Sequence, residues 1–115
     1  MNQVVQYQQT LDRTFGALSD PSRRAILERL GVGRAPISEL AELLGITLTG
    51  TKKHVQILEA AGLVTTEKVG RTRYCRLGPR GLEDELGWIE TYRRQLDERL
   101  DRFGELLAQR KGQMT

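Results

Sequence analysis

One cysteine, one histidine, one tryptophan and three prolines are all that the chain holds of those types in 115 residues. The first two scarcities each remove a class of function. The lone Cys75 excludes an intramolecular disulfide and suits a reducing cytosol. The lone His54, with no second cysteine to help it, leaves a metal or catalytic role at that residue without partners. No constellation of nucleophile, base and orienting group is visible, so neither enzymatic activity nor a cofactor is expected. No apolar run nears the ~20 residues that cross a bilayer, so no membrane partner is expected. Met1-Asn2-Gln3-Val4-Val5-Gln6 lacks the charged and apolar regions of a secretory signal, which points to a cytoplasmic protein. Internal repeats and low-complexity tracts are missing too.

What is present is the composition of an ordinary globular protein, 38% hydrophobic and 29% charged. The length suits one domain with a modest core. The net charge of +3 is spread unevenly. Between Thr47 and Arg76 stand Lys52, Lys53, Lys68, Arg71, Arg73 and Arg76 against only Glu59 and Glu67. From Leu82 to Lys111 the acids outnumber the bases, eight to six. The positive charge is therefore gathered in one stretch, as a footprint for phosphate requires.

That stretch also has the punctuation of a helix-turn-helix. Residues 1–6 are polar and expected to fray. A first helix is predicted over Gln8–Leu18, with Leu11, Phe15 and Leu18 at steps of four and three. Asp20 is a good N-cap and Pro21 fits the first helical position of a second helix ending at Leu30, before Gly31 and Gly33. Arg34-Ala35-Pro36 reads as a connector. A third helix, Ser38–Leu44, should bury Leu40, Ala41 and Leu43, and Gly45 is the expected left-handed stop. Thr47 is a natural N-cap for a fourth helix running to Ala61. In it Thr51, Val55 and Leu58 should face the core, and Thr49, Lys52, Lys53 and Gln56 should face outward with Leu48. Leu63–Val69 and Thr72–Leu77 read as strands joined at Gly70-Arg71. Gly78-Pro79-Arg80-Gly81 is a linker to a last helix over about 82–109. The expected fold is mostly α with a β-hairpin wing, a winged helix-turn-helix in the order α-α-α-α-β-β-α. Residues 1–115 are expected to form that single domain, with 82–109 as its C-terminal dimerisation helix.

Function follows from the two faces this arrangement offers. Thr and Gln hydrogen-bond base edges, and Lys reaches guanine or phosphate. The expected contacts to double-stranded DNA are therefore Thr47, Thr49, Lys52, Lys53, His54 and Gln56 on the helix and Lys68, Arg71 and Arg73 on the wing. For His54 a packed, hydrogen-bonded place is the competing expectation. Gly50 weakens a helix interior by about 1 kcal/mol relative to Ala and implies a close approach to another helix or to DNA. Cys75 is expected as a small, half-buried apolar residue. The last helix repeats Leu86, Ile89, Tyr92, Leu96, Leu100, Phe103 and Leu107 at steps of three and four, a stripe longer than a small domain can cover. A homodimer is expected to bury it, through Ile89, Tyr92, Leu96, Leu100 and Phe103, with Leu11 and Phe15 of the first helix. Trp88 lies off that stripe and is expected in core packing or an interface. Asp97 and Asp101 have chelating spacing, but Arg93, Arg94, Arg99 and Arg102 interleave with Glu90, Asp97, Glu98 and Asp101, so exposed ion pairs rather than a metal are expected.

The residues Phe15 to Leu27, with Leu18-Ser19-Asp20-Pro21-Ser22-Arg23-Arg24 at their centre, and Ile37-Ser38-Glu39-Leu40-Ala41 form one recognisable set. Lys53-His54, Glu59-Ala60-Ala61-Gly62-Leu63-Val64, Gly70-Arg71 and Tyr74-Cys75-Arg76-Leu77 complete it. Over roughly residues 9–108 this set resembles the ArsR/SmtB-type winged-helix repressors of bacteria. The resemblance implies a dimeric repressor, in a family where many members sense metals or thiol oxidants. The Cys-x-Cys pair that metal-sensing members often carry in the third helix is missing from Ser38–Glu42, and the last helix has no histidine. No metal is expected, and the resemblance gives neither an operator nor a small-molecule effector. The reading is a transcriptional regulator that binds an inverted-repeat operator as a dimer. Two alternatives stay open: a regulator with a ligand pocket at the dimer interface, and a protein-interaction winged helix that does not touch DNA.

Overall fold

The computed structural model describes residues 3–113. Its elements are α1 (Gln3–Leu18), α2 (Pro21–Leu30), β1 (Ala35–Pro36), α3 (Ile37–Leu44), α4 (Leu48–Ala60), β2 (Val64–Val69), β3 (Thr72–Leu77) and α5 (Glu83–Gln113). They fall into two compact units, one running to Gly81 and one beginning at Leu82.

In the first unit the local signals act as expected. Asp20 caps α2, its Oδ1 accepting from the backbone N–H of Ser22 at 2.8 Å and of Arg23 at 3.2 Å. Desolvation pushes that carboxyl up, but the two N–H groups and the nearby Arg23 outweigh it and hold the group below its ordinary value. Gly45 sits at φ 65° and ends α3 in a Schellman pattern, with Ile46 N–H donating to the carbonyl of Ala41 at 3.3 Å. Thr47 caps α4, its Oγ1 accepting from Gly50 N–H at 3.0 Å. Ile26, Leu30, Leu40, Val55, Leu58, Leu63, Val64 and Cys75 close the core.

The wing belongs to a three-stranded antiparallel sheet in the order β1-β3-β2. Its hairpin turns at Gly70-Arg71, between the paired Val69 and Thr72. Gly70 has φ 62° and Arg71 stays on the negative side, the signature of a type II′ turn. Ala35 and Thr66 flank Cys75 on either side, which is why that thiol is fully buried rather than half-buried.

Three expectations are corrected. Helix α1 begins at Gln3, not Gln8, because a glutamine-rich stretch with exposed Val4, Val5 and Tyr7 extends a helix without any inward periodicity to announce it. The fraying expected of Met1 and Asn2 lies outside the described residues. The connector at Ala35–Pro36 is a strand, so the order is α-α-β-α-α-β-β-α. It is two residues long, too short for alternation to be read, and its Pro36 is tolerated because β1 is an edge. Leu43 is 56% exposed; α3 starts one residue early, and Ile37, Leu40 and Ala41 fill its inward face.

The second unit is the single helix α5. Its 31 residues span about 46 Å. Glu83, Asp84 and Glu85 in the first turn and Arg110 and Lys111 in the last match the helix dipole. Leu86, Ile89, Tyr92, Leu96, Leu100, Phe103 and Leu107 are all exposed. Trp88, half-exposed, stacks on Tyr92 one turn away, ring centres 5.7 Å apart. Glu90 and Arg93 form one of the expected ion pairs at 2.8 Å. No helix among the described residues is long and apolar enough to cross a membrane.

Candidate nucleic-acid interface

Helix α4 has two faces with different duties. Thr51, Val55 and Leu58 point into the core, and the Thr51 hydroxyl donates to the Thr47 carbonyl at 2.9 Å, so no polar group is left bare there. Thr49, Lys52, Lys53 and Gln56 are exposed on the other side. Gly50 gives close approach to its own cap: a Cβ there would stand 3.2 Å from Thr47 Oγ1.

The wing register decides where its cations point. Lys68 pairs with Arg73 and Thr66 with Cys75, and side chains two apart share a face. Lys68 and Arg73 therefore continue the face that carries buried Cys75, beyond the end of the core. A concave groove of about 340 Å³ results, lined by Ile37 and Ser38 of α3, Leu48 and Lys52 of α4, and Lys68, Arg71, Thr72 and Arg73 of the wing. A second hollow of about 280 Å³ adjoins it, reaching Gln56 and Glu59. Four cations thus converge from α4 and the two strands and turn of the wing on one groove, with the carboxylate of Glu59 at its edge.

Arg73 is held in place. Its Nη1 donates to Thr66 Oγ1 at 3.2 Å, and Thr66 Oγ1 donates to Glu59 Oε2 at 2.9 Å. Sequence reading missed this buttress, because only the strand register brings Glu59, Thr66 and Arg73 together. It also missed Ser38, which enters the groove from the start of α3.

His54 faces elsewhere. Its Nδ1 lies 3.2 Å from Arg23 Nη1. Arginine only donates, so Nδ1 accepts and the ring's hydrogen is on Nε2. The packed, hydrogen-bonded place weighed against a phosphate contact is the one observed for Nδ1, and Nε2–H is its remaining donor. The same guanidinium donates through Nε to the carbonyl of Ala17 at 2.8 Å and through Nη2 to that of Gly16 at 3.1 Å. Arg24 Nη1 donates to the carbonyl of Leu18 at 2.7 Å. The Ser-Asp-Pro-Ser-Arg-Arg block is thus a joint that caps the end of α1, starts α2 and steadies α4. Nothing in its sequence spacing points to His54, 31 residues away.

Cys75 has no part in the groove's chemistry. Burial, with a smaller push from the Glu59 carboxylate, raises its thiol to about 11. It is therefore a neutral, shielded thiol at neutral pH. The expected result of thiol titration is no reaction in the folded protein and one equivalent per chain in denaturant. Rapid labelling of the folded chain would contradict the burial.

Leu11, expected at a dimer interface, is buried within the chain at 7% exposure, and Phe15 is half-buried. Ile89, Tyr92, Leu96, Leu100 and Phe103 are open.

Comparison with known proteins agrees with this geometry. Residues 18–67 match the family described as "Helix-turn-helix domain". The chain is 39% identical over 71 residues to the HTH-type transcriptional regulator Rv2034 of Mycobacterium tuberculosis, a stretch covering 62% of this chain and 66% of that one, just under two thirds. It is 30% identical over 79 residues to the transcriptional repressor SdpR of Bacillus subtilis, covering 69% and 88%. Among solved structures it is similar to an ArsR-like transcriptional regulator from Rhodococcus sp. RHA1, at 32% identity and a TM-score of 0.75 over 91% of this chain and 95% of the other.

Proposed function

The chain belongs to the ArsR/SmtB-type winged helix-turn-helix transcriptional regulators, and from that premise we propose that it is a homodimeric repressor that occludes a promoter by binding an inverted-repeat operator in the cytoplasm. One observation carries the reading: the outward face of α4 and the wing share a groove lined by Lys52, Lys68, Arg71 and Arg73. Phosphate contacts at those cations fix the protein's register on the duplex, and Thr49 and Gln56 are left to read base edges. Lys53, Thr47 and His54 Nε2–H complete the candidate contacts at the ends and flank of the helix. Occlusion needs no catalysis.

Dimerisation rests on α5. Seven large apolar side chains along one stripe stand in water in the single chain. A second copy of the same helix offers the matching surface, and two-fold symmetry then presents two α4 helices to two half-sites. Half-site centres about one helical turn, ~34 Å, apart are expected.

Two measurements test this together. Light scattering at tens of micromolar should give twice the 13.0 kDa of one chain. Selection from a randomised duplex pool should enrich an inverted repeat, on which Gln56→Ala or Thr49→Ala costs about 1–3 kcal/mol while random DNA is little affected. A monomer in solution removes the dimer. A pool with no enriched sequence removes the DNA reading and makes protein binding the better one.

A further inference from the structure

Leu48 is the one large apolar side chain on the part of α4 that faces the groove without a role in the core. It is the first residue after the Thr47 cap and is 45% exposed. It lines the groove with Lys52 and the wing cations. The hydroxyls around it are engaged in the helix start: Thr47 Oγ1 accepts from Gly50 N–H, and Thr51 Oγ1 donates inward to the Thr47 carbonyl. Thr49 and the O–H of Thr47 are the polar groups beside it at that first turn. The N-terminal residues of a recognition helix are the ones that come nearest the base edges. A leucine there has no hydrogen bond to give. The only apolar group that a base pair shows in the major groove is the C5-methyl of thymine.

We propose that Leu48 reads a thymine methyl in each operator half-site, so that the operator is recognised partly by an apolar contact set inside a ring of cations. The inference rests on the DNA-binding reading above. It assigns to Leu48 a specificity role that the polar residues of α4 cannot supply. The cations fix the distance to the backbone, and the methyl contact then discriminates, because cytosine offers only a hydrogen at C5 and the purines present polar atoms in the methyl's place.

The test uses the full chain and a duplex enriched from a randomised pool by this protein. Each thymine of one half-site is replaced in turn by deoxyuridine, which removes the methyl and leaves the pairing unchanged. At one position the wild-type protein should lose about fourfold in affinity, the worth of one buried methyl group. Leu48→Ala should bind the thymine and deoxyuridine duplexes equally at that position. Leu48→Met, which keeps apolar bulk on an exposed helix site, should retain the preference. An enriched duplex on which every replacement affects wild type and Leu48→Ala alike overturns this inference alone. A pool that enriches nothing overturns the DNA-binding reading and this inference with it.

Discussion

Alanine at Lys52, Lys68, Arg71 and Arg73 together should abolish measurable binding to random duplex at physiological salt and flatten the salt dependence of what binding remains. Each phosphate neutralised contributes about 0.9 to the slope of log affinity against log salt. Four lost contacts lower the slope by about 3.6 per protomer, or about three and a half decades across a tenfold change in salt. The four are not equal. Arg73 is tied to Thr66 and faces Glu59, so Arg73→Ala alone should cost less than Arg71→Ala at the open turn. Fluorescence anisotropy across a salt series measures both quantities. Removing Arg93, Arg94, Arg99 and Arg102 from α5 changes net charge by the same amount and serves as the control. If that variant loses as much slope as the first, the effect is one of net charge and the groove is not the site.

The second large effect concerns stability. Arg23→Met should destabilise the protein by about 2–3 kcal/mol, since hydrogen bonds to charged groups are worth about 1.5–3 each and some of the stranded acceptors regain water. The Arg23 side chain is only 13% exposed, and its loss strands the carbonyl of Ala17 and the Nδ1 of His54 and takes one donor from the carbonyl of Gly16, which keeps the hydroxyl of Ser19. For a unit of this size that lowers the melting temperature by about 10–20 °C. Arg23→Lys should not restore it, because an ammonium lacks the planar fork that serves three acceptors in different directions. Thermal unfolding followed by circular dichroism checks both variants. A melting point for Arg23→Met within about 2 °C of wild type, well below the shift expected per kcal/mol, would remove the joint from the account of stability.

How much of this could be read in the sequence depended on how local the cause was. Caps, stops and turns are local, so Asp20, Gly45, Thr47 and Gly70 were legible from residue type and spacing. The two faces of α4 were legible because a helical period is a local property. What escaped had its cause across the chain. Strand β1 exists only because β3 pairs with it, and no two-residue segment can announce that. The commitment of Arg73 to Thr66 and Glu59 depends on hairpin register. The bond from Arg23 to His54 joins two helices, so the signature block reads as a pattern in sequence and as a joint only in space. Leu43 misled because its step of three from Leu40 fits an inward stripe that Ile37 already fills.

The split of α4 into an anchoring face and a reading face has an evolutionary consequence. The residues that hold the helix, Thr51, Val55 and Leu58, share no positions with those that meet the outside, Leu48, Thr49, Lys52, Lys53 and Gln56. Substitutions on exposed positions away from caps and cores usually change stability by less than about 0.5 kcal/mol. A lineage can therefore retarget such a protein to a new set of genes by drift at the base-reading positions Leu48, Thr49 and Gln56, one base preference at a time, without ever passing through an unfolded ancestor.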